Sequence, residues 1–373
     1  MFFKKFLWHI NIPDINFSTN QLFSKIPNNM GIFFIINHKT MDQKQKALTV
    51  SEIHRLARQW LYENGFIELT VPRIVRASGS CENVNTLYSV VANGDNNWYG
   101  HSAYLAQTGQ LYLEANVPLL QKVFCDGPSF RAEESVDSRH LTEFRMIEIE
   151  LVTDFAGLLD NMQGFINHIV SGIIYLNESK GLGLDQNRIA KLKHCPRVFP
   201  QMTYDQAIIK LQELGEKINW GDDLKHKHEM MLVAANNDSP FFITRFPDPM
   251  IKREKEIEVE KFFNMIPDPE NPGRVLSCDC ILPYSGESIG SAARVHDAET
   301  MINRLQNSRM FKRLQDLGGS VDDFAWYINK LREGGSVPHA GCGFGMSRIT
   351  QYILGIDDIR QAVNFSSNKE SLI

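Results

Sequence analysis

The chain lacks most of the short signals that place a nucleotide- or metal-handling protein at a glance. It contains no GxxxxGK[ST] and no GxGxxG, which excludes a recognisable P-loop or Rossmann site. Its six cysteines (Cys81, Cys125, Cys195, Cys278, Cys280 and Cys342) form no CxxC pair, and no further ligands complete a zinc set. Scattered thiols of this kind suit a reducing compartment, here the cytoplasm. No apolar run reaches the roughly 20 residues that span a bilayer; the stretch 31–36 is far too short. There is no excess of positive charge. The formal net charge of -5 gives no global pull toward nucleic acid, although a local basic patch suffices to bind one. Internal repeats are absent as well.

The first forty residues lack arginine and carry no clear secretory cleavage site. They are rich in Phe, Ile and Asn, with four lysines and one acid, Asp14. Residues 1–40 are therefore expected to form a poorly ordered extension, with organelle targeting as the alternative, and 41–373 a single domain.

What is present begins with helical spacing over 50–64, where Ile53, Leu56, Ala57, Trp60 and Leu61 share a face and Gly65 stands as a stop. A strand over 66–71 ends at Pro72. Residues 104–113 read as strand and 118–123 as helix. Strand, loop and strand follow, ending in the alternating run 145–151. A long helix is expected over 158–176, a mixed insertion over 181–238 with a helix at 204–214, and a buried strand at 241–244. The charged run 252–261 reads as a solvated segment. A hairpin over 276–289, helices over 298–317 and 321–331, and a strand–helix unit over 341–355 complete the chain. Strands joined by hairpins around a few helices predict an α+β fold with an antiparallel sheet.

Three constellations carry chemistry. The first is Gly127-Pro128-Ser129-Phe130-Arg131-Ala132-Glu133, a polar loop holding Arg139 and His140, then Glu143-Phe144. Arg131 and Glu133, two apart in extended chain, face the same way. Guanidinium groups favour phosphate and carboxylate partners, and an aromatic ring offers a face to a base. The second is Gly341-Cys342-Gly343-Phe344-Gly345-Met346-Ser347-Arg348, whose glycines admit a ligand close to the backbone. The third is Asp279 and Glu287 on the two arms of the hairpin. Converging acids beside a triphosphate hold magnesium in many phosphoryl sites.

These three segments resemble motif 2, motif 3 and the acid pair of the class II aminoacyl-tRNA synthetases, and the helix, strand and Pro72 resemble motif 1. From about residue 41 to 365 the chain is similar to the aspartyl/asparaginyl/lysyl subgroup, and nearest to the asparaginyl-tRNA synthetases. The segments Gln107-Thr108-Gly109-Gln110-Leu111-Tyr112-Leu113-Glu114, Phe199-Pro200-Gln201, Arg245-Phe246-Pro247 and Val337-Pro338-His339-Ala340 carry that likeness. The resemblance implies ATP and Mg²⁺ as cofactors and a homodimer built on motif 1. It implies that Arg131 grips the α-phosphate and the attacked carboxylate, and that Glu133 lies near the adenine amino group. Arg139 and His140 would lie near the outer phosphates, Phe144 would stack on adenine, and Arg348 would meet the γ-phosphate. Asp279 and Glu287 would bind the metal, with Glu287 also at the ATP. Arg294, Glu82, Gln107 and Glu114 would contact the amino acid.

Aspartyl enzymes place a lysine where Leu113 stands, which removes a charge partner for aspartate. Glu114 would accept a hydrogen bond from an amide and repel a carboxylate. Asparagine is therefore expected as the amino acid, activated as an adenylate and transferred to tRNA. Two alternatives stay open. The family carries an anticodon-binding OB domain ahead of motif 1, and the residues before the first core helix do not show its five-strand pattern. A core that makes asparagine from aspartate, ATP and ammonia would not need that domain. The other alternative is a non-catalytic paralogue.

Overall fold

A computed structural model describes residues 41–76, 84–251, 257–259, 261–335 and 337–372. Glu82, with Ser80 and Cys81 beside it, lies outside the described residues.

The first helix, α1 (Gln43–Glu63), starts seven residues before the expected position. Asp42 accepts from the Gln45 amide at 2.8 Å, the Gln45 side chain returns to the Asp42 amide, and this capping box fixes the start. Gly65, at φ +79°, ends it, with Phe66 N–H donating to Leu61 O. The strand expected over 66–71 shrinks to β1 (Ile67–Glu68), a parallel edge pair, followed by β2 (Ile74–Val75) and β3 (Tyr104–Leu105), which pair with each other.

The reading of 104–113 as a strand is corrected. Only Tyr104 and Leu105 are extended, and α2 (Gln110–Glu114) follows. A buried carboxylate overrides the local pattern: Glu148 accepts from the Gly109 amide at 2.7 Å and from the Thr108 hydroxyl, which anchors the N-terminus of α2. The helix expected over 118–123 is likewise cut short. α3 (Val117–Leu120) ends at Gln121, whose φ of +66° turns the chain into β4 (Lys122–Phe130).

β5 (Glu143–Leu151) pairs antiparallel with all of β4. Then come α4 (Phe155–Lys180), α5 (Gln186–Lys193), β6 (Gln201–Thr203), α6 (Tyr204–Glu213), α7 (His226–Ala235) and β7 (Phe241–Thr244). The hairpin β8 (Ser277–Leu282) and β9 (Gly286–Ala293) turns through Tyr284 and Gly286, both at φ +72°. α8 (Ala298–Asn307), α9 (Arg309–Asp316) and α10 (Ala325–Gly334) lead to β10 (Ala340–Gly345) and α11 (Met346–Leu354). Ser308 breaks the helix expected over 298–317 by capping α9 through its hydroxyl.

Eight strands form one sheet in the order β1-β4-β5-β10-β9-β8-β7-β6. The six central strands are antiparallel and the two outermost pairs are parallel. The expected α+β fold holds. α1, α4 and α11 cover one face, burying Phe165, Ile169, Ile349 and Ile353 against Ile147, Ile149, Cys280 and Phe344. The two-residue period of strands then decides what reaches the other face. Along β5, Ile147, Ile149 and Leu151 enter that core, while Met146, Glu148 and Glu150 line a cavity. Along β8, Cys278 and Cys280 enter the core, and Asp279 between them faces the cavity. Among the described residues no helix is long and apolar enough to cross a membrane.

Candidate active site

The cavity measures about 630 Å³ and opens above the middle of the sheet. β5, β10, β9 and β8 make its floor, the loop between β4 and β5 one wall, and the segment entering α7 another. Arg131, Glu133, Arg139, His140, Phe144, Asp279, Glu287, Arg294 and Arg348 all line it. Residues from four separate stretches of sequence are thereby brought to a single hollow.

At the cationic end, the Arg131 guanidinium lies 5.4 Å from the centre of the Phe144 ring. Asp137 shapes the loop by accepting from the amides of Arg139 and His140 at 2.8 and 3.0 Å, and it contacts His140 Nδ1 at 2.8 Å. Arg348, in the first turn of α11, donates to the Glu287 carbonyl. The floor stays low because β10 has no side chains there. A Cβ on Gly343 would lie 2.4 Å from Met146 Cε, and one on Gly341 would lie 2.0 Å from the Glu150 carboxyl group.

Burial would raise Glu287, but Lys261, Arg348, Arg131 and Arg139 together hold it below the usual carboxylate range. Asp279 behaves differently. Burial, with Glu287 nearby, pushes it up to about 7 against the pull of Lys261. Lys261 Nζ donates to both Asp279 oxygens, at 2.7 and 2.8 Å, and sits 3.8 Å from the Phe246 ring centre. The expectation of a solvated run over 252–261 therefore fails at its last residue. Lys261 is only 15% exposed because a buried acid holds it.

No group of three or more His, Cys, Asp or Glu side chains that could hold a metal occurs among the described residues. Two acids converging on a cavity do fit Mg²⁺, which takes one or two carboxylates and fills its other positions with water and phosphate oxygens. Asp279 and Glu287 would hold such an ion, provided Lys261 yields Asp279.

The deep end has a different character. Arg294 donates to Glu150 Oε1 through Nη2 at 2.8 Å and Nε at 3.1 Å. Glu150 Oε2 is buried and has no hydrogen-bond partner. Burial pushes Glu150 up to about 7, with Arg294 opposing and Glu114 adding to the rise. Glu114 lies behind this layer and does not line the cavity. Its oxygens accept from Gln110 Nε2 at 2.6 Å, Asn264 Nδ2 at 2.7 Å and Tyr327 OH at 2.6 Å, and His339 Nε2 stands 3.4 Å away. Burial would raise Glu114, but His339 and Arg294 outweigh it and hold it low. The carboxylate presented to the cavity is thus Glu150 rather than Glu114. Gln107 also sits behind the wall, donating to Thr86 Oγ1 at 2.9 Å.

Sequence reasoning missed Glu150, Lys261 and Glu229. Glu150 left a signal, because two acids alternating with isoleucines in 145–151 share the face opposite the core. Lys261 left none, being 18 residues from Asp279 with no spacing rule to connect them. Glu229, on α7, reaches the cavity from the insertion and accepts from Arg139 Nη2 at 3.2 Å.

A family model described as tRNA synthetases class II (D, K and N) matches residues 35–369. The asparagine–tRNA ligase of Roseiflexus sp. (strain RS-1) is 35% identical over 356 residues, covering 91% of this chain and 73% of the relative. That of Koribacter versatilis is 33% identical over 362 residues, covering 93% and 75%. Asparaginyl-tRNA synthetase from Pyrococcus horikoshii, solved with asparaginyl-adenylate, superposes with a TM-score of 0.75 at 32% identity over 88% of this chain and 70% of that one. An aspartyl tRNA synthetase from Entamoeba histolytica gives 0.66 at 27% identity, over 88% and 59%.

Proposed function

Because the chain belongs to the class II tRNA synthetases of the aspartate, lysine and asparagine group, we propose that it activates asparagine with ATP and transfers the asparaginyl group to tRNA. One observation carries the choice of amino acid. At the deep end of the cavity a buried carboxylate oxygen, Glu150 Oε2, lacks a partner beside the guanidinium of Arg294. An asparagine side chain satisfies both groups, its NH₂ donating to Glu150 and its carbonyl accepting from Arg294. An aspartate side chain would set carboxylate against carboxylate, and sites built on such hydrogen bonds discriminate by large factors. Glu114 then acts one layer back, holding Arg294, Tyr327 and His339 in place.

ATP would lie toward the cationic end. Phe144 offers its ring to adenine and Glu133 stands by the exocyclic amine. Arg131 would bridge the α-phosphate and the substrate carboxylate, fixing the attacking oxygen in line and offsetting the charge that grows on the phosphorus. Arg348, Arg139 and His140 would take the outer phosphates. Mg²⁺ held by Asp279 and Glu287 would supply further charge neutralisation to the leaving pyrophosphate. No side chain needs to move a proton in this step, since the substrate carboxylate is already ionised. Exposed Ile67 in β1, and Tyr62 whose hydroxyl donates to Glu68 of the same strand, would be covered in a homodimer.

The test is acceptor-specific. With labelled asparagine, ATP and total tRNA from the same organism, the label should become acid-precipitable. With aspartate, ATP and ammonium, no free asparagine should form. Asparagine formation without tRNA acylation would reject the proposal.

A further inference from the structure

We propose that Lys261 is a built-in cation that keeps the Asp279–Glu287 pair closed to free divalent metal and yields Asp279 only to metal that arrives on a nucleotide. This rests on the reading of that acid pair as the metal site.

Both Asp279 oxygens are committed to Lys261 Nζ at 2.7 and 2.8 Å. A Mg²⁺ ion binds carboxylate oxygen at about 2.0–2.1 Å and brings two charges, so it cannot share these oxygens with an ammonium in that position. Lys261 must move for the metal to enter. Its surroundings decide when that can happen. The side chain is 15% exposed and rests against Phe246, so solvent offers it little in exchange. The other acids acting on it are Glu287, which the metal would also claim, and Asp223. A bare metal ion therefore strands a buried ammonium among the cations Arg131, Arg139 and Arg348. A metal–triphosphate complex does not, because it carries anionic oxygens into the same hollow for the displaced ammonium to meet. The lysine makes metal entry conditional on the nucleotide, and it gives the buried acids a partner while the site is empty.

The probe is Mn²⁺, titrated into the full-length protein without nucleotide and followed by its electron paramagnetic resonance signal. Wild-type protein is expected to bind at least tenfold more weakly than K261M, which bares Asp279. K261Q carries the same expectation should K261M fold poorly, and K261R, which keeps the cation, should behave as wild type. Wild-type protein with a methylene-bridged ATP analogue should form a ternary Mn²⁺ complex, read by water-proton relaxation. Equal nucleotide-free affinity in wild type, K261M and K261Q overturns the role of Lys261 alone. No protein-bound Mn²⁺ in any arm, the ternary one included, overturns the metal assignment and the proposal with it.

Discussion

Glu150 concentrates the specificity argument in one side chain. Its Oε1 is fixed by two hydrogen bonds from Arg294, and its buried Oε2 has no hydrogen-bond partner. Removing the charge while keeping the shape, in E150Q, should lower kcat/KM for asparagine by about 10- to 100-fold, the worth of one charge-assisted hydrogen bond. The amide of that variant can donate to a carboxylate, so the preference for asparagine over aspartate should narrow in ATP–pyrophosphate exchange. Unchanged kinetics would mean that the amide binds elsewhere. The elevated value of about 7 gives a pH signature. The ionised form accepts from the amide and the protonated form does not. Asparagine binding should therefore be weak below that value and strengthen as pH rises through it, by about tenfold in kcat/KM between pH 6 and 8. The arginines, Phe144 and the acid pair, all of which line the cavity, were legible in the sequence because each sits in a short segment that resembles a motif of the family. The exchange of Glu114 for Glu150 was not, since Glu114 is withdrawn by Tyr327 and Asn264, which lie 213 and 150 residues away.

At the scale of elements, the cavity depends on two pieces being held together, the β8–β9 hairpin and α11. Arg188 on α5 joins them. Its guanidinium donates to the Ile353 carbonyl at 3.0 Å and to the Tyr352 carbonyl, which closes the C-terminus of α11, and it stacks 5.1 Å from the ring of Tyr284 in the hairpin turn. R188A should destabilise the protein by about 2 kcal/mol, as expected for buried carbonyls losing a charged donor. Because α11 carries Arg348, KM for ATP should rise more than KM for asparagine. Thermal unfolding and the two KM values check this; equal changes in both would make Arg188 a purely structural residue. The elements that the sequence misplaced share one cause. α2 forms where alternation suggested strand because Glu148 anchors its first turn, and β1 is short because, among the described residues, it pairs with β4 alone. Propensity was overruled by contacts made across the fold. Where burial is complete on both sides, as in β7, position and length were readable from composition alone.

At the scale of the whole molecule, one sheet face is sealed by helices and the other is kept open, and the period of two sorts every strand accordingly. That division explains why cysteines flank Asp279 and isoleucines flank Glu148. It also explains why net charge says little about function here. The cations are gathered at one end of a cavity in a chain whose total is -5, so a local field can draw a triphosphate although the net charge is negative. The proposed reaction joins asparagine to the α-phosphate of ATP in this hollow. The most direct measurement is ATP–pyrophosphate exchange by the purified protein with asparagine, with aspartate and with neither. Exchange driven by asparagine, and lost in R131A, is the predicted result. Exchange driven only by aspartate, or none with either amino acid, would contradict it.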